Sequence, residues 1–122
     1  MTLPVFVYGT LRSDAPNSAM LGPRRREQAT VRGALFSLPA GYPAVRSGEG
    51  TVHGELVYDI DEHVLGVLDH YEGVDRGLYR RIQADARVGL DRVRCWLYVM
   101  DRPEDKGGRP VPSGRWRVRR RG

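Results

Sequence analysis

Between residues 51 and 73 the hydrophobic pattern changes its period, and that change constrains the fold more than any other feature of the chain. In TVHGELVYDI, residues 51–60, Val52, Gly54, Leu56, Tyr58 and Ile60 fall on alternate positions, the period of a half-buried strand. After Asp61 the apolar positions become Val64, Leu65, Leu68 and Tyr71, ending at Gly73, which is the spacing of one helical face. Asp61 stands where an N-cap belongs, and Gly73 where a left-handed residue ends a helix. The expectation is a strand over 51–60 followed by a helix over 62–72. Gly54 within the strand marks a bulge or a close approach of another backbone.

Around that helix the chain reads as β. Residues 3–8 (LPVFVY) form a short buried strand that ends in a turn at 9–13, and 14–22 holds a short helix or turn with Asp14 near its cap. A strand follows over 29–38; Pro39, Gly41 and Pro43 then make 39–50 a loop that carries Tyr42. Strands are expected at 78–86 and 91–100, with a Pro- and Gly-rich surface loop at 101–113. Trp116 is expected in a last short strand anchoring the C-terminus, beyond which the Arg-rich 117–122 frays. No repeat or linker interrupts the chain, so 1–122 is read as one domain. Several short strands with one clear helix give an α+β fold, a small mixed β-barrel or a strongly curved sheet with flanking short helices.

Composition narrows the function classes. At 122 residues, 40% hydrophobic and 29% charged, the chain is ordinary for a globular protein. No apolar run approaches the roughly 20 residues of a membrane helix, and MTLPVFVYGT has no export-signal pattern; the expected compartment is the cytoplasm. Cys95 is the single cysteine and lies in a β-prone run, so it reads as a quiet core thiol. The formal charge is +5, and of 20 basic residues only Lys106 is not Arg. The runs Arg24–Arg26 and Arg117–Arg121 can touch phosphates, but solvated faces or frayed ends account for them, and no aromatics are interleaved for base stacking. Nucleic acid is therefore not expected as a partner. His53, His63 and His70 lack metal-ligand spacing, and no GxSxG, GxxxxGK or GxGxxG occurs; no metal or other cofactor is expected.

Two places carry candidate chemistry. Glu72 ends the predicted helix beside Leu68 and Tyr71, where partial desolvation, the negative helix end and nearby Asp69 all favour a raised pKa and hence proton transfer near neutrality. On the residues alone, a surface Glu ahead of a capping glycine is the favoured reading. Tyr8-Gly9-Thr10-Leu11 directly follows the first strand, where a glycine lets successive N–H groups converge on an anion. On the residues alone, an ordinary strand-ending turn is the favoured reading.

Taken together, VFVYGTLR at 5–12, Asn17, GxxxGELVYDI at 50–60, LDHYEG at 68–73, LYRR at 78–81 and SGRW at 113–116 resemble the gamma-glutamylcyclotransferase-like proteins, including their AIG2-like branch. The resemblance covers most of the chain in order. It implies a small mixed barrel and a reaction in which the α-amine of a γ-glutamyl compound attacks its own γ-carbonyl, releasing 5-oxoproline and an amine without a cofactor. It also implies Glu72 as general acid/base. Tyr8, Gly9, Thr10 and Leu11 would hold the γ-glutamyl end, and Tyr79 would line the pocket, as would Tyr42. A non-catalytic small-molecule-binding module of the same fold is the main alternative, and a basic nucleic-acid-binding domain a lesser one. The expected partner is a small γ-glutamyl molecule; the oligomeric state is not legible in the sequence, with a slight lean toward a monomer.

Overall fold

The computed structural model describes residues 2–9, 11, 12, 15 and 18–117. Six strands appear in chain order: β1 (Val5–Val7), β2 (Arg26–Ser37), β3 (Pro43–Val57), β4 (Arg80–Val88), β5 (Asp91–Val99) and β6 (Arg109–Pro110). The helix α1 (Glu62–Tyr71) lies between β3 and β4, and short 3₁₀ turns occupy Ser18–Met20, Val74–Arg76 and Pro103–Lys106. β1 pairs antiparallel with β3 and parallel with β5, β5 with β4, β4 with β2, and β2 with β3. Those pairings return to their start, so the first five strands close a mixed barrel; β6 adds to β2 through Phe36↔Pro110. Closure leaves no open edge in the ring, and side chains alternate between its inside and outside.

The two faces bury separate cores. Phe6, Val31, Val52, Ala86 and Leu97, one from each strand of the ring, meet in the first and fill the barrel. The second collects the alternate residues Val5, Val7 and Tyr98 with Leu68 of α1, and forms between the barrel wall and the helix. Gly54 is a close approach and not a bulge: a Cβ there would sit 2.3 Å from the Val7 carbonyl oxygen and 2.7 Å from Phe6 Cζ. Ile60 departs from the expected alternation, packing in the outer core while Val52 and Leu56 face inward. The strand has already ended at Val57, and Asp59 turns the chain with φ 60°.

Helix α1 matches the periodicity. The Asp61 carboxylate accepts from the Val64 N–H at 2.8 Å, Glu72 is the C-cap residue, and Gly73 follows in the left-handed region at φ 69°. The segment 39–50 is a correction. Only 38–42 is a turn, closed by Leu38 N–H to Tyr42 O at 3.0 Å, and β3 begins at Pro43. Proline is tolerated as the first residue of a strand, where it need not donate. The other glycines mark a bulge within β3: Arg32 pairs with Thr51 and Ala34 with Arg46, so residues 47–50 stand opposite Gly33 alone.

Two further readings change. Trp116 is buried as an anchor, with the Arg12 guanidinium 5.9 Å from its ring centre, but it lies outside any strand. Arg24–Arg26 is a solvated basic face only at Arg25, which is exposed while stacking 4.6 Å over Tyr58; Arg24 donates to the Leu21 and Asp59 carbonyls. Arg26 donates to Glu55, 5% exposed, and to the Leu11 and Ser18 carbonyls. Asp14, Asn17 and the tail from 118 onward lie outside the described residues. Among the described residues, no helix is long and apolar enough to cross a membrane.

Candidate active site

Beside the outer core a cavity of about 430 Å³ opens between the end of β1, the start of β3, the C-terminus of α1 and the approach to β4. Tyr8, Gly9, Leu11, Tyr42, Glu72 and Tyr79 all line it, so residues scattered over 70 positions of sequence share one wall. Thr10 lies outside the described residues. Its neighbours are held closely: a Cβ on Gly9 would come within 2.8 Å of Pro43 Cγ, and the Leu11 carbonyl accepts from Arg26 at 2.9 Å. The turn after β1 is thereby fixed against the start of β3.

Glu72 is positioned by the end of its helix. Its N–H donates to Leu68 O at 2.8 Å, and Leu68 is fully buried in the outer core. Three residues back, Asp69 accepts from Arg81 Nε at 2.8 Å and from the Tyr98 hydroxyl at 2.7 Å. Arg81 and Tyr98 are cross-strand partners on β4 and β5, so Asp69 pins α1 to both strands. Sequence reasoning cast Asp69 as the like charge that perturbs Glu72; instead it is engaged as a clamp. The cause of the perturbation is desolvation, which pushes the Glu72 carboxyl up to about 7. Among the described residues no donor lies within hydrogen-bond reach of that carboxylate.

The tyrosines around Glu72 share a chemical peculiarity. Tyr8 donates its hydroxyl hydrogen to the Tyr98 carbonyl at 2.8 Å, Tyr79 to the Pro43 carbonyl at 2.7 Å, and Tyr98 to Asp69. A phenol has one hydrogen to give, so each of these oxygens can only accept from anything in the cavity. Burial raises all three hydroxyl pKa values, and the Glu72 charge raises each further. They stay neutral and fixed. Tyr98 escaped the sequence reading because it sits in a uniformly β-prone run; alternation alone marked it as facing away from Leu97.

The chain matches the family described as "Gamma-glutamyl cyclotransferase, AIG2-like" over residues 5–118. It belongs to that family. The gamma-glutamylcyclotransferase family protein YtfP of Escherichia coli is 36% identical over 119 residues, 92% of this chain and 94% of that one. The gamma-glutamylaminecyclotransferase of Bos taurus is 35% identical over 113 residues, 79% of this chain and 64% of the bovine protein. Among solved structures, YkqA of Bacillus subtilis superposes with TM-score 0.74 at 28% identity, covering 95% of this chain but 40% of its own. The chain therefore spans less than two thirds of the bovine and Bacillus proteins, and nearly all of the Escherichia one.

Proposed function

We propose that this protein is a cyclotransferase that releases 5-oxoproline and an amine from a dissolved γ-glutamyl compound in the cytoplasm, with Glu72 as its general acid/base. The observation that carries this reading is a desolvated carboxyl near neutral pKa, without a donor or counter-cation among the described residues, in a cavity that Gly9 and Leu11 also line. A carboxyl so tuned is divided between its two forms near neutrality and can take up and return one proton.

The backbone of the turn at residues 9–11, with Thr10, holds the glutamyl α-carboxylate. Glu72 removes a proton from the α-ammonium, and the freed amine attacks the γ-carbonyl carbon. A five-membered ring closes, the C–N bond to the leaving group breaks as Glu72 returns its proton to the departing nitrogen, and the ring nitrogen's surplus proton passes to the released amine, which leaves as its ammonium. Attack within one molecule is already favoured by proximity, so holding the glutamyl chain bent supplies much of the acceleration. The acceptor-only hydroxyls of Tyr8, Tyr79 and Tyr98 suit the ammonium and are unsuited to the negative oxygen of the tetrahedral intermediate. Tyr8 and Tyr79 thus position the cationic end of the glutamyl group, and Tyr42 adds ring surface at the mouth.

The test is 5-oxoproline release from a panel of γ-glutamyl compounds by wild type and Glu72→Gln. The amide keeps the shape and loses the exchangeable proton, so turnover should fall by roughly 10²–10⁴. Unchanged release from that variant would sink the mechanism.

A further inference from the structure

Three tyrosine hydroxyls stand around Glu72, and what takes their hydrogens differs. Tyr8 and Tyr79 donate to the main-chain carbonyls of Tyr98 and Pro43, whereas Tyr98 donates to the side chain of Asp69. Only the third bond depends on a side chain. Asp69 stands three residues before Glu72 on α1, a spacing that puts the two on neighbouring positions of the helix surface. Its Oδ1 also accepts from Arg81 Nε at 2.8 Å, and that guanidinium lies 4.2 Å from the Trp96 ring centre. A hydrogen bond to a carboxylate is stronger than one to a neutral carbonyl, so the Tyr98 hydrogen, given at 2.7 Å, is the most firmly held of the three. Tyr98 is 3% exposed and lines the cavity with Glu72. Tyr8, Tyr42, Tyr71 and Tyr79 are the other titratable groups on that wall among the described residues.

From this arrangement we infer that Asp69 is a positioning residue of the site. By taking the Tyr98 hydrogen it keeps that hydroxyl an acceptor toward the cavity, so that the oxygen receives a hydrogen from the substrate ammonium and offers none to Glu72. This role presupposes the cyclotransferase reading for its substrate, and extends the working set to a residue that does not itself line the cavity. Without Asp69 the phenol is free to turn its hydrogen inward. It then faces Glu72 as a donor and favours the charged carboxylate, and it faces the ammonium hydrogen to hydrogen. Both changes work against a carboxyl that has to take up and return a proton. The bond to Arg81 gives Asp69 a structural role as well, and the two roles separate experimentally.

The test compares Asp69→Ala, Asp69→Asn, Tyr98→Phe and the double variant Asp69→Ala/Tyr98→Phe with wild type. Two readouts are taken: kcat and KM for 5-oxoproline release across pH, and NMR titration of the Glu72 carboxyl carbon, which needs no substrate. In Asp69→Ala, kcat/KM should fall roughly tenfold or more, and the Glu72 titration should move down by about one pH unit. Asparagine removes the same charge, but its amide oxygen still accepts the phenol hydrogen. Asp69→Asn should therefore bring the titration back toward the wild-type midpoint and recover most of kcat/KM. The double variant has no hydroxyl to turn, so it should titrate as Tyr98→Phe does and lose little further kcat/KM. A purely structural clamp gives the opposite pattern: equal losses with and without the Tyr98 hydroxyl, and an unmoved titration. That pattern would overturn the inference, as would an Asp69→Asn titration displaced as far as that of Asp69→Ala. The expected titrations without any 5-oxoproline release from wild type would reject the cyclotransferase reading and uphold the hold on the Tyr98 hydrogen. Turnover by wild type with unmoved titrations would do the reverse.

Discussion

Two glutamates of this molecule differ in what surrounds them, and the difference separates a carboxylate that holds structure from one fitted to move protons. Glu55, on β3, is 5% exposed and meets Arg26 at 3.1 Å and Gln28 at 3.1 Å. Glu72, at the end of α1, is half-buried and has no donor among the described residues; its pKa rises to about 7. Both belong to motifs that carry the family resemblance, GELVYDI and LDHYEG. A paired carboxylate is locked in its charged form, whereas a desolvated and unpaired one sits near the midpoint of its titration.

Breaking the paired site should have the largest effect on stability. Glu55→Ala leaves the Arg26 guanidinium, 14% exposed, without its partner, and should cost about 3–5 kcal/mol in chemical denaturation. Because Arg26 also holds the Leu11 carbonyl, activity should fall with stability there. Glu72→Gln should do the reverse, cutting turnover by roughly 10²–10⁴ without lowering stability, and this divergence is the sharpest form of the comparison.

The second expectation concerns pH. The folded-state pKa of Glu72 lies above the unfolded value, so folding favours its protonated form. Its cost is absent below the unfolded pKa of about 4.3, and grows as pH rises toward the folded value of about 7. Above that it is constant. Between pH 5 and pH 8 the wild type should therefore lose about 1–3 kcal/mol that Glu72→Gln retains, seen as a pH-dependent gap between their melting curves. In kinetics, kcat/KM should rise with pH through an inflection near 7 if the charged carboxyl takes the first proton.

A smaller effect is expected at Tyr79. Tyr79→Phe leaves the buried Pro43 carbonyl without its donor, at about 1–3 kcal/mol. At the bottom of the scale, Asp101→Ala removes the exposed pair with Arg80 and should change stability by less than about 1 kcal/mol. A large loss there would mean that surface pairing matters in this barrel as much as the buried pair does.

These contrasts also mark how far the sequence could be read. Helix α1 was legible because a change of hydrophobic period coincided with a capping Asp61 and a left-handed Gly73, three independent signals of one element. The segment 39–50 misled because Pro and Gly density is the same for a turn and for a bulged strand. Only long-range pairing with β2 distinguishes them, and pairing has no local signature. Glu72 was legible as a candidate, and partial desolvation was among its expected causes, but Asp69 and the helix end were credited beside it. The actual cause, desolvation, comes from β1, β3 and β5, which no window around residue 72 contains. Arg26 was misread for the same reason, since its partner Glu55 lies 29 positions away.

The single parallel pairing in the ring, β1 with β5 through Val5↔Trp96, sets an order of events during synthesis. β1 is made first and is only three residues long, while its parallel neighbour begins at Asp91. Until most of the chain has been made, the turn that follows β1 has β2 and β3 to hold it but not β5. Closing so distant a contact is slow relative to hairpin formation. A nascent chain arrested before residue 91 would present β3 and α1 around an unclosed ring, and the cavity would be among the last features of the molecule to form.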